Sequence, residues 1–433
     1  MVIASPSHLE NVFTNSPQAK TTVKILLVYN SYQEPGGEDV VFRKEGHLLR
    51  EAGHEVSEYR RDNGEIKDYS TVRRLSLVGR PVWASDSYRD FGALLRQIRP
   101  EIVHVHNTFP LISPSIFWAS RKEGVPVVHT LHNYRLLCPQ ANFFRAGKPC
   151  EDCITGQYWR GVAHGCYRNS RVETAPVALM LTVHHALKTW TRMVDHYITP
   201  SAFARDQFVK AGFPTAQITV KPNFVDPDPG RGSGDGSYAL FIGRVSPEKG
   251  ADTLLKAWRQ LPKTHMLRVV GDGPSRERLE SEADRDGLSN VKFMGRLPHD
   301  QAIEVTKNSR FVIFPSELYE TFGLGIAEAF ACGVPALASR LGAMQEIVQE
   351  GQTGFLFEPG NSDDLARTVA RAWNDPAQMR RLGVQARSEY EAKYTAAINY
   401  RQLIEIYRRV IAKRAPVEEP SRIRMQAEQA PRL

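Results

Sequence analysis

The sequence predicts an α/β protein built from two doubly wound domains that face each other across a cleft. With 433 residues the chain is long for one domain, and two domains are the natural expectation. Apolar, strand-like runs alternate with helical runs in both halves, which implies parallel sheets covered by helices on both faces. A segment rich in proline and glycine, residues 221–232, separates the halves. Ligands of such sheets bind beyond the carboxyl ends of the strands, so the two sheets would share one cleft.

The N-terminal domain is expected over residues 21–222, after a polar tail, residues 1–20, that is expected to be loosely ordered. Its first strand, residues 24–30, is followed by a Pro-Gly-Gly loop and by a helix near residues 38–52. Further strands are predicted at residues 54–59, 102–107 and 125–132.

The C-terminal domain is expected over residues 223–395, where the same alternation restarts at Tyr238. Strands are predicted at residues 238–243, 266–271, 291–295, 311–315 and 334–338. Helices are predicted near residues 250–260, 275–286, 299–308, 323–332 and 362–374. An amphipathic helix is expected at residues 396–413, and the charged end, residues 414–433, is expected to be disordered.

Composition favours an ordinary globular protein with a basic surface. Hydrophobic residues make up 42%, and 56 Lys and Arg against 48 Asp and Glu give a formal net charge of +8. Such an excess belongs either to a solvated surface or to a face for an anionic ligand or membrane. Arg73, Arg74 and Arg80 stand among apolar residues and could touch anionic lipid, although such arginines are more often solvated. With no apolar run of about 18 residues and no secretory signal, the sequence predicts a cytoplasmic protein, with a peripheral position at the inner membrane face as a further possibility.

The most informative stretch runs from Glu320 to Glu328, two carboxylates that lie eight positions apart. An apolar strand-like run, residues 311–314, precedes it, and a helical run follows. The order strand, glycine-bearing turn, helix presents backbone N–H groups where phosphate binds favourably, so Gly323 and Leu324 are candidate phosphate donors. Carboxylates beside such a turn are suited to accept hydrogen bonds from sugar or ribose hydroxyls.

This run resembles the E-x(7)-E motif of the family 4 glycosyltransferases, which are retaining enzymes of the GT-B architecture. The resemblance covers about residues 22–412. It includes four shorter motifs in the same order: Phe241-Ile242-Gly243-Arg244, Glu248-Lys249-Gly250, Val270-Gly271-Asp272-Gly273-Pro274 and Gly295-Arg296. It implies that two Rossmann-like domains form a GT-B fold and that the helix at residues 396–413 packs back on the N-terminal domain.

The resemblance also implies roles on the donor side. Glu328 would bind the ribose of the donor nucleotide, Glu320 would lie near hydroxyls of the donor sugar, and Arg244 and Lys249 would contact the diphosphate. Fixed cations at that place stabilise the charge that develops on a leaving diphosphate. Further candidate donor-binding residues are Gly271, Gly273, Arg296 and Phe322. For these the bland alternatives stay open, because a Gly-Asp-Gly-Pro run is often only a turn and the arginine could equally be structural.

On the N-terminal side, His132 resembles the histidine that the family places at a strand end near the donor sugar. A histidine there can hydrogen-bond a sugar hydroxyl or help to stabilise charge; the alternative is a satisfied core histidine. His104 and His106 lie two apart on one strand and are more often structural. Gly36 and Gly37 resemble the glycine loop that closes over the donor phosphate and the acceptor, although by themselves they are only a flexible turn.

No cofactor is expected for catalysis. No Asp-x-Asp pair stands at a strand end, and Asp363-Asp364 is typical of a helix N-cap, so Arg244 and Lys249 are predicted to replace a divalent metal. The family implies retention at the anomeric carbon. Because no carboxylate stands out as a nucleophile, a front-face transfer is expected, in which the leaving phosphate helps to deprotonate the acceptor.

One departure from the family lies after the strand predicted at residues 334–338. Many relatives carry a Gly-Gly turn before a Glu-Ile pair, whereas this chain keeps a single glycine in Arg340-Leu341-Gly342-Ala343-Met344-Gln345-Glu346-Ile347. The change lies away from the predicted chemistry and could narrow the cleft.

Four of the five cysteines fall in a small insert, residues 138–166: Cys138, Cys150, Cys153 and Cys166. In a reducing compartment such a cluster favours a metal over disulfides. The middle pair has zinc-knuckle spacing and the outer two could complete a tetrahedron, with His164 as an alternative ligand. Four thiolates leave no open position, so the prediction is a structural zinc; free thiols, disulfides and an iron–sulfur cluster are the alternatives.

Together these features predict a retaining, metal-independent hexosyltransferase that transfers a sugar from a nucleotide-sugar donor to a glycan or to a polyprenyl- or other lipid-linked acceptor, in cell-surface polysaccharide or glycolipid assembly. The alternatives are a GT-B phosphorylase, a sugar-nucleotide epimerase and a non-catalytic sugar-nucleotide-binding protein. A nucleic-acid-binding protein would use the cysteines and the positive charge. The Glu320–Glu328 and Arg244–Lys249 pairs count against it, so no nucleic-acid partner is expected.

Overall fold

Fourteen strands are found in the part of the chain that the computed structural model describes, residues 22–33, 36–70 and 78–414. Those of the first half are β1 Lys24–Ser31, β2 Glu55–Asp62, β3 Ile102–Val105, β4 Val127–Thr130, β5 Phe144–Arg145, β6 Lys148–Pro149, β7 His196–Thr199 and β8 Ile218–Val220. Those of the second half are β9 Ala239–Ile242, β10 Leu267–Val270, β11 Val291–Gly295, β12 Phe311–Phe314, β13 Ala336–Ser339 and β14 Gly354–Phe357.

The α-helices of the same residues alternate with these strands. In the first half they are α1 Gly37–Glu51, α2 Ser85–Ile98, α3 Ser115–Lys122, α4 Trp159–His164, α5 Arg171–Ala186, α6 Thr189–Arg192 and α7 Ala202–Lys210. In the second half they are α8 Ala251–Trp258, α9 Arg276–Arg285, α10 His299–Lys307, α11 Leu324–Ala331, α12 Met344–Ile347, α13 Ser362–Asn374, α14 Pro376–Lys393 and α15 Ala396–Arg414. Short 3-10 helices cover Asn63–Asp68, Thr215–Gln217 and Pro247–Lys249.

Two six-stranded sheets organise these elements. The first has the strand order β2-β1-β3-β4-β7-β8 and the second the order β11-β10-β9-β12-β13-β14. All the pairings within both sheets are parallel, and the small β5-β6 ribbon of the cysteine-rich insert is antiparallel. The predicted fold class, two doubly wound parallel sheets in one chain, is therefore confirmed.

Burial on both faces explains why the strands form. In β1 only the first residue, Lys24, is partly exposed, and the other seven side chains are buried. A nearly continuous apolar run of this kind is what a central parallel strand needs, because helices cover both of its faces. The second sheet repeats the pattern in β12, where Phe311, Val312 and Ile313 are fully buried. These central strands carry the loops that build the site.

The chain passes between the two sheets twice. Near the first crossing Val225 forms a parallel bridge with Thr395, close to the second crossing. Helix α15 then lies on the first sheet, where Leu403 and Tyr407 join the same core cluster as Ile25. The last helix thus covers the sheet that the first strand began.

Several sequence-based boundaries shift in the structure. The strand predicted at residues 125–132 is only β4, Val127–Thr130, so His132 follows it by two residues. The cap of α13 is Asn361, whose side chain accepts from the N–H groups of Asp363 and Asp364, so the predicted Asp-Asp cap is wrong. Strands β7, β8 and β14 and helix α14 were not predicted.

No helix in the described residues is long and apolar enough to cross a membrane. Arg73 and Arg74 lie outside those residues. The side chain of Arg80 is only 11% exposed, and it donates hydrogen bonds to the Asp86 carboxylate at 2.7 Å and to the Leu111 carbonyl at 2.9 Å. Arg80 is therefore neither solvated nor available to lipid, so both expectations for this residue are wrong.

Candidate functional site

A lysine–carboxylate pair stands at the carboxyl ends of β9 and β12. Lys249 Nζ lies 2.5 Å from Glu320 Oε1, and Ser316 Oγ donates to the same oxygen at 2.9 Å. Gly250 makes the pair possible: its φ is 71°, and a Cβ there would lie 1.9 Å from the Pro315 carbonyl oxygen. Only glycine lets these two loops approach so closely, so the loop after β9 can place Lys249 against Glu320.

Glu328 lies in the second turn of α11 and is half-buried. Burial raises the pKa of its carboxyl group, while His299 and Lys44 act in the opposite direction. Lys44 belongs to α1 of the first domain, so Glu328 interacts electrostatically with a cation on the other side of the cleft. The sequence reasoning missed both Lys44 and His299, and no local motif marks either one.

The turn before α11 keeps the predicted backbone geometry. Gly323 is the N-cap with φ 122°, and the first N–H groups of a helix have no partner inside it. Phe322 is different, because its ring is 3% exposed and packs against Tyr394 with ring centroids 5.6 Å apart. Of the predicted donor-binding residues in this turn, Phe322 can therefore offer only its backbone, as Gly323 and Leu324 were predicted to do.

Gly271 and Gly273 allow a close approach between two protein loops. Their φ angles are 136° and 159°, and a Cβ on either would lie 1.8 Å from Gly243 O or 2.4 Å from Val245 O. The contact is closed by a hydrogen bond from Val245 N to Asp272 O at 2.9 Å. Glycine is needed at these two positions because the loop after β10 packs closely against the loop after β9.

Two arginines predicted to bind the donor occupy exposed positions at the carboxyl edge of the second sheet. Arg244 follows the end of β9 by two residues, and Arg296 comes directly after β11. The parallel strands end at one edge of the sheet, so both side chains belong to the edge that carries Lys249.

The histidine of the first domain meets the second domain directly. His132 Nε2 lies 2.9 Å from His106 Nδ1, and the two rings are stacked with centroids 5.1 Å apart. Thr321, the residue after Glu320, donates from Oγ1 to the His132 carbonyl at 2.8 Å. The structure therefore brings His132 next to the loop that carries Glu320 and Lys249.

A buried chain of polar groups stands behind His132. His106 Nε2 lies 3.7 Å from Glu45 Oε2, and the other oxygen of Glu45 accepts from Lys221 Nζ at 2.6 Å. These last three side chains are fully buried. Burial lowers the pKa of both His106 and His132 well below the usual range, and Lys221 lowers both further, so both imidazoles are neutral.

One hydrogen bond joins the two imidazoles, so in this neutral pair one ring nitrogen donates and the other accepts. Glu45 Oε2 lies 3.7 Å from His106 Nε2, which is longer than a hydrogen bond, so this contact does not select the tautomer. His132 Nδ1 is the ring nitrogen that this pairing leaves for a ligand. The first domain thus offers an imidazole nitrogen, suited to a hydroxyl group, beside the lysine–carboxylate pair.

Among the described residues, one set of three could hold a metal: Glu45, His104 and His106, with ligand atoms within 4.8 Å of one another. His104 uses both ring nitrogens, at 2.6 Å from Tyr407 Oη and 2.7 Å from Thr130 Oγ1. With the Lys221 ammonium already on Glu45, this set is better described as a protein hydrogen-bond network than as a cation site.

The four cysteines of the insert do not form such a set within the described residues, and all four are free thiols. Burial raises the pKa of the Cys153 thiol to about 12, and the neighbouring Cys138, Cys166 and Cys150 thiols add to that rise. The structural zinc stays a prediction without support from the arrangement of the sulfur atoms.

The glycine loop leads into α1, with Gly36 as N-cap. A Cβ on Gly36 or Gly37 would meet nothing within 4 Å, so there is open space beside the loop. The next residue, Glu38, is half-buried and accepts from Asn133 Nδ2 at 3.0 Å, which places it next to the loop of His132. Burial raises the pKa of Glu38 to about 8. Sequence reasoning missed Glu38 because its partners come from distant strands.

The segment that departs from the family pattern joins the domains. Glu346 accepts through both carboxylate oxygens, each at 3.0 Å, from the N–H groups of Ala202 and Phe203 at the start of α7. Ser201 Oγ donates to the Thr321 carbonyl at 2.7 Å beside it. A carboxylate at a helix N-terminus is electrostatically favourable, so Glu346 stabilises the contact between the domains.

Two family models match successive parts of the chain. The model described as Glycosyltransferase Family 4 matches residues 35–229, and the model described as Glycosyl transferases group 1 matches residues 228–389. The chain belongs to the family 4, group 1 glycosyltransferases. The second model covers Lys249, Glu320 and Glu328, and the first covers His132.

Two relatives match parts of the chain. An uncharacterized glycosyltransferase of Methanocaldococcus jannaschii is 30% identical over 162 residues, which are 37% of this chain and 45% of that protein. Glycogen synthase of Mycobacterium tuberculosis is 28% identical over 313 residues, 69% of this chain and 66% of the relative. The matched regions thus span between about half and two thirds of these relatives.

Solved structures share the fold. Sucrose-phosphate synthase from Thermosynechococcus elongatus has a TM-score of 0.68 at 21% identity and covers 90% of this chain and 99% of its own. HepE of Anabaena in complex with UDP has a TM-score of 0.65 at 19% identity and covers 89% of this chain and 100% of its own. The two-domain GT-B fold of the glycosyltransferase is confirmed by these likenesses.

Proposed function

We propose that the chain is a retaining glycosyltransferase that transfers a hexose from a nucleotide sugar to a hydroxyl of a glycan or lipid-linked acceptor, in cell-surface polysaccharide or glycolipid assembly. One observation carries the proposal: the Lys249–Glu320 pair and His132 meet at one cleft, joined by the hydrogen bond from Thr321 to the His132 carbonyl. A cation, a carboxylate and a neutral imidazole at one place suit a sugar diphosphate, since each recognises a different part of it.

The cations of the second domain serve the leaving group. In the proposed transfer the bond between the anomeric carbon and the phosphate oxygen breaks, and negative charge develops on the diphosphate. Lys249 and Arg244 stand on the loop after β9, where α11 also presents its N-terminus. Removing a fixed charge of this kind from such a site costs about 10²–10³ in rate. No step of the proposed transfer requires a divalent metal.

The first domain serves the sugar and the acceptor. His132 Nδ1 forms a hydrogen bond with a hydroxyl of the donor sugar and helps to fix the sugar ring. The acceptor oxygen forms its bond to the anomeric carbon on the face that the phosphate leaves, and the acceptor proton passes to the departing phosphate oxygen. Configuration at the anomeric carbon is thereby kept. Glu328, in the second turn of α11, binds the ribose hydroxyls of the donor in this proposal.

The identity of the donor nucleotide is the part of the proposal that can be tested most directly. HepE of Anabaena has been solved with UDP, with UDP and glucose and with UDP-glucose, which makes uridine donors the first to try. A thermal-shift panel of UDP-, GDP- and ADP-sugars should show one nucleotide class that raises Tm. Glu328→Ala and Lys249→Ala should lose most of that rise, while Lys263→Ala, an exposed lysine of the same domain, keeps it.

A result in which no nucleotide sugar shifts Tm, or in which the Lys263 variant loses the shift as well, would overturn the donor site. Retention is checked separately by the proton NMR coupling of the anomeric proton in the product. An inverted product would contradict the front-face route without touching the donor assignment.

A further inference from the structure

Exposed large apolar side chains are concentrated in one part of the first domain. In the described residues they are Val78, Trp83, Trp159, Val172, Leu179, Leu187, Met266 and Val384. Half of them fall between residues 159 and 187. Val78 and Trp83 flank Val82, whose carbonyl accepts from His184 of α5 at 2.8 Å, so they belong to the same region. Such clustering marks an interaction surface, because isolated apolar side chains need no explanation but a patch does.

Helix α5, Arg171–Ala186, forms the centre of this region. Val172 and Leu179 are seven residues apart, which places them on one face of the helix, and they are 82% and 50% exposed. Ala175 and Ala186 lie on that face and are also exposed. The opposite face, with Val177, Met180, Leu181 and His184, is buried in the domain. The helix is therefore apolar on the side that faces solvent as well.

The segment that carries the apolar face is basic. Residues 157–193 contain five Lys and Arg, at positions 160, 168, 171, 188 and 192, and one acidic residue, Glu173. The whole chain has a formal net charge of +8, so this short segment supplies about half of it. Trp159 of helix α4 is 64% exposed and stands at the edge of the segment. An exposed aromatic ring, an apolar helix face and arginines at its borders are what a helix lying in a lipid interface presents.

The same helix lies one layer of side chains from the site. A cavity of about 30 Å³ is lined by His132 and His106 on one side and by Met180 of α5 on another. Arg135, three residues after His132, stacks its guanidinium over Phe109, which packs in one cluster with Val177 and Leu181. Molecules embedded in a surface that binds this helix would therefore lie close to His132.

We propose that α5 and Trp159, with their flanking Lys and Arg residues, dock the protein on a bilayer that contains anionic phospholipid. This docking face consists of Trp159, Val172, Leu179 and Leu187, bordered by Arg171, Lys188 and Arg192. Charge complementarity favours a lipid surface over a second copy of this chain, because two copies would bring their basic borders together. The inference extends the proposed function, since it names where a lipid-linked acceptor would reach the site, but its test needs no catalysis.

The experiment is flotation of the full-length protein with vesicles of phosphatidylcholine and phosphatidylglycerol, compared with vesicles of phosphatidylcholine alone. We expect binding to the anionic vesicles that weakens as salt is raised. Val172→Asp with Leu179→Asp should lower the bound fraction at least about tenfold, because two apolar anchors become charged. Each of Arg171→Glu, Lys188→Glu and Arg192→Glu should lower it by about fivefold.

Matched controls come from the second domain. Met266→Asp with Val384→Asp changes two exposed apolar side chains outside the docking face, each 42% exposed, and should leave flotation unchanged. All variants should keep the Tm of the wild type and its response to the nucleotide sugar. If neither the wild type nor any variant shows a Tm shift with the nucleotide sugar, the donor site is refuted, whereas the docking result is unaffected.

Three outcomes would overturn the docking face. The wild type fails to float with anionic vesicles; or the Val172/Leu179 variant floats as well as the Met266/Val384 control; or sedimentation shows a dimer that only the Val172/Leu179 variant dissociates. The last result would assign the face to a second copy of the chain.

Discussion

On the second sheet, Lys249 and Glu320 stand on loops and stay partly open to solvent, whereas on the first sheet His132 is held from behind by groups that solvent does not reach. The side chains of Lys249 and Glu320 are 32% and 19% exposed, while those of Lys221 and Glu45 are 1% and 0% exposed. We call the loops that carry Lys249 and Glu320 the second rim of the cleft, and His132 with the buried groups behind it the first rim. The second rim presents charged side chains that water reaches, whereas the first presents a neutral imidazole whose supporting groups are buried. A site of this kind can reorganise its cations around a diphosphate while the imidazole keeps its place.

The difference also separates stability from chemistry. A partly exposed ion pair adds little to folding, because water screens it, so Lys249 and Glu320 are free to serve a ligand. A buried ion pair is different: it contributes little net stability while intact, but losing one partner leaves an uncompensated charge. Substitutions in the buried groups of the first rim should therefore lower the stability of the protein, and substitutions on the second rim should lower its catalytic activity.

The largest effect is expected for the buried pair. Glu45→Leu or Lys221→Met alone should lower the free energy of unfolding by about 3–5 kcal/mol, because each leaves a buried charge without its partner. Lys393→Met, which removes an exposed lysine paired with Glu389 four residues earlier, should cost only about 0.3–0.5 kcal/mol. Urea unfolding at a shared m-value measures both.

The double variant, Glu45→Leu with Lys221→Met, sharpens this test. It should recover a large part of the loss, since no charge remains buried. If the single variants cost less than about 1 kcal/mol, the buried chain behind His132 would not be as tightly held as the distances indicate.

Lys249→Ala should reverse this pattern. It should lower kcat by about 10²–10³ with little change in Tm, because it removes, from a loop that water reaches, the charge that stabilises the leaving diphosphate in the proposed transfer. Lys249→Arg should keep part of the activity, and Lys263→Ala should keep all of it. Steady-state kinetics with the donor found in the thermal-shift panel measure the three. A large fall in Tm for Lys249→Ala would show that the pair with Glu320 is structural.

The two rims also differ in how much the sequence predicted. On the second sheet Lys249, Glu320 and Glu328 belong to local glycine-bearing motifs that follow strands β9 and β12, so the sequence alone could single them out as candidates. Gly271 and Gly273 were predicted to bind the donor, which stays a prediction, and the backbone that they approach is that of the neighbouring loop.

The first rim depends on contacts between distant parts of the chain. Lys221 meets Glu45 across 176 positions, and Tyr407 meets His104 across 303. No local pattern marks such partners, and a buried lysine looks like a solvated one in the sequence. The short strands β7 and β8 were missed for a related reason: polar residues in His196–Thr199 and Ile218–Val220 are acceptable only because neighbours cover them.

Glu38 provides a test of burial on the first rim. Its pKa is about 8 in the folded protein against 4.5 for an ordinary glutamate, so the native state keeps a proton that the unfolded chain has lost. Stability should therefore fall as pH rises from about 4.5 to about 8. Glu38→Gln cannot lose that proton, and at about pH 9 it should be more stable than the wild type by at least about 1 kcal/mol.

Unfolding curves between about pH 5 and pH 9 measure the effect of Glu38. Glu405→Gln, at an exposed position of α15, should give a curve parallel to that of the wild type. Parallel curves for Glu38→Gln would show that the carboxyl group is better solvated than its contacts with Asn133 and Tyr29 indicate.

The smallest effect is expected where the two rims are joined. Glu346 accepts from the N–H groups of Ala202 and Phe203, so Glu346→Ala should cost about 1 kcal/mol, the usual value of a cap at a helix N-terminus. Hydrogen exchange at those two amides should speed up by about fivefold, because each loses its partner when the contact opens. Gln345→Ala, at the exposed neighbouring position, should change neither quantity. Faster exchange in both variants would mean that α12 frays on its own, and the domains would then be held by Thr321 and Ser201 instead.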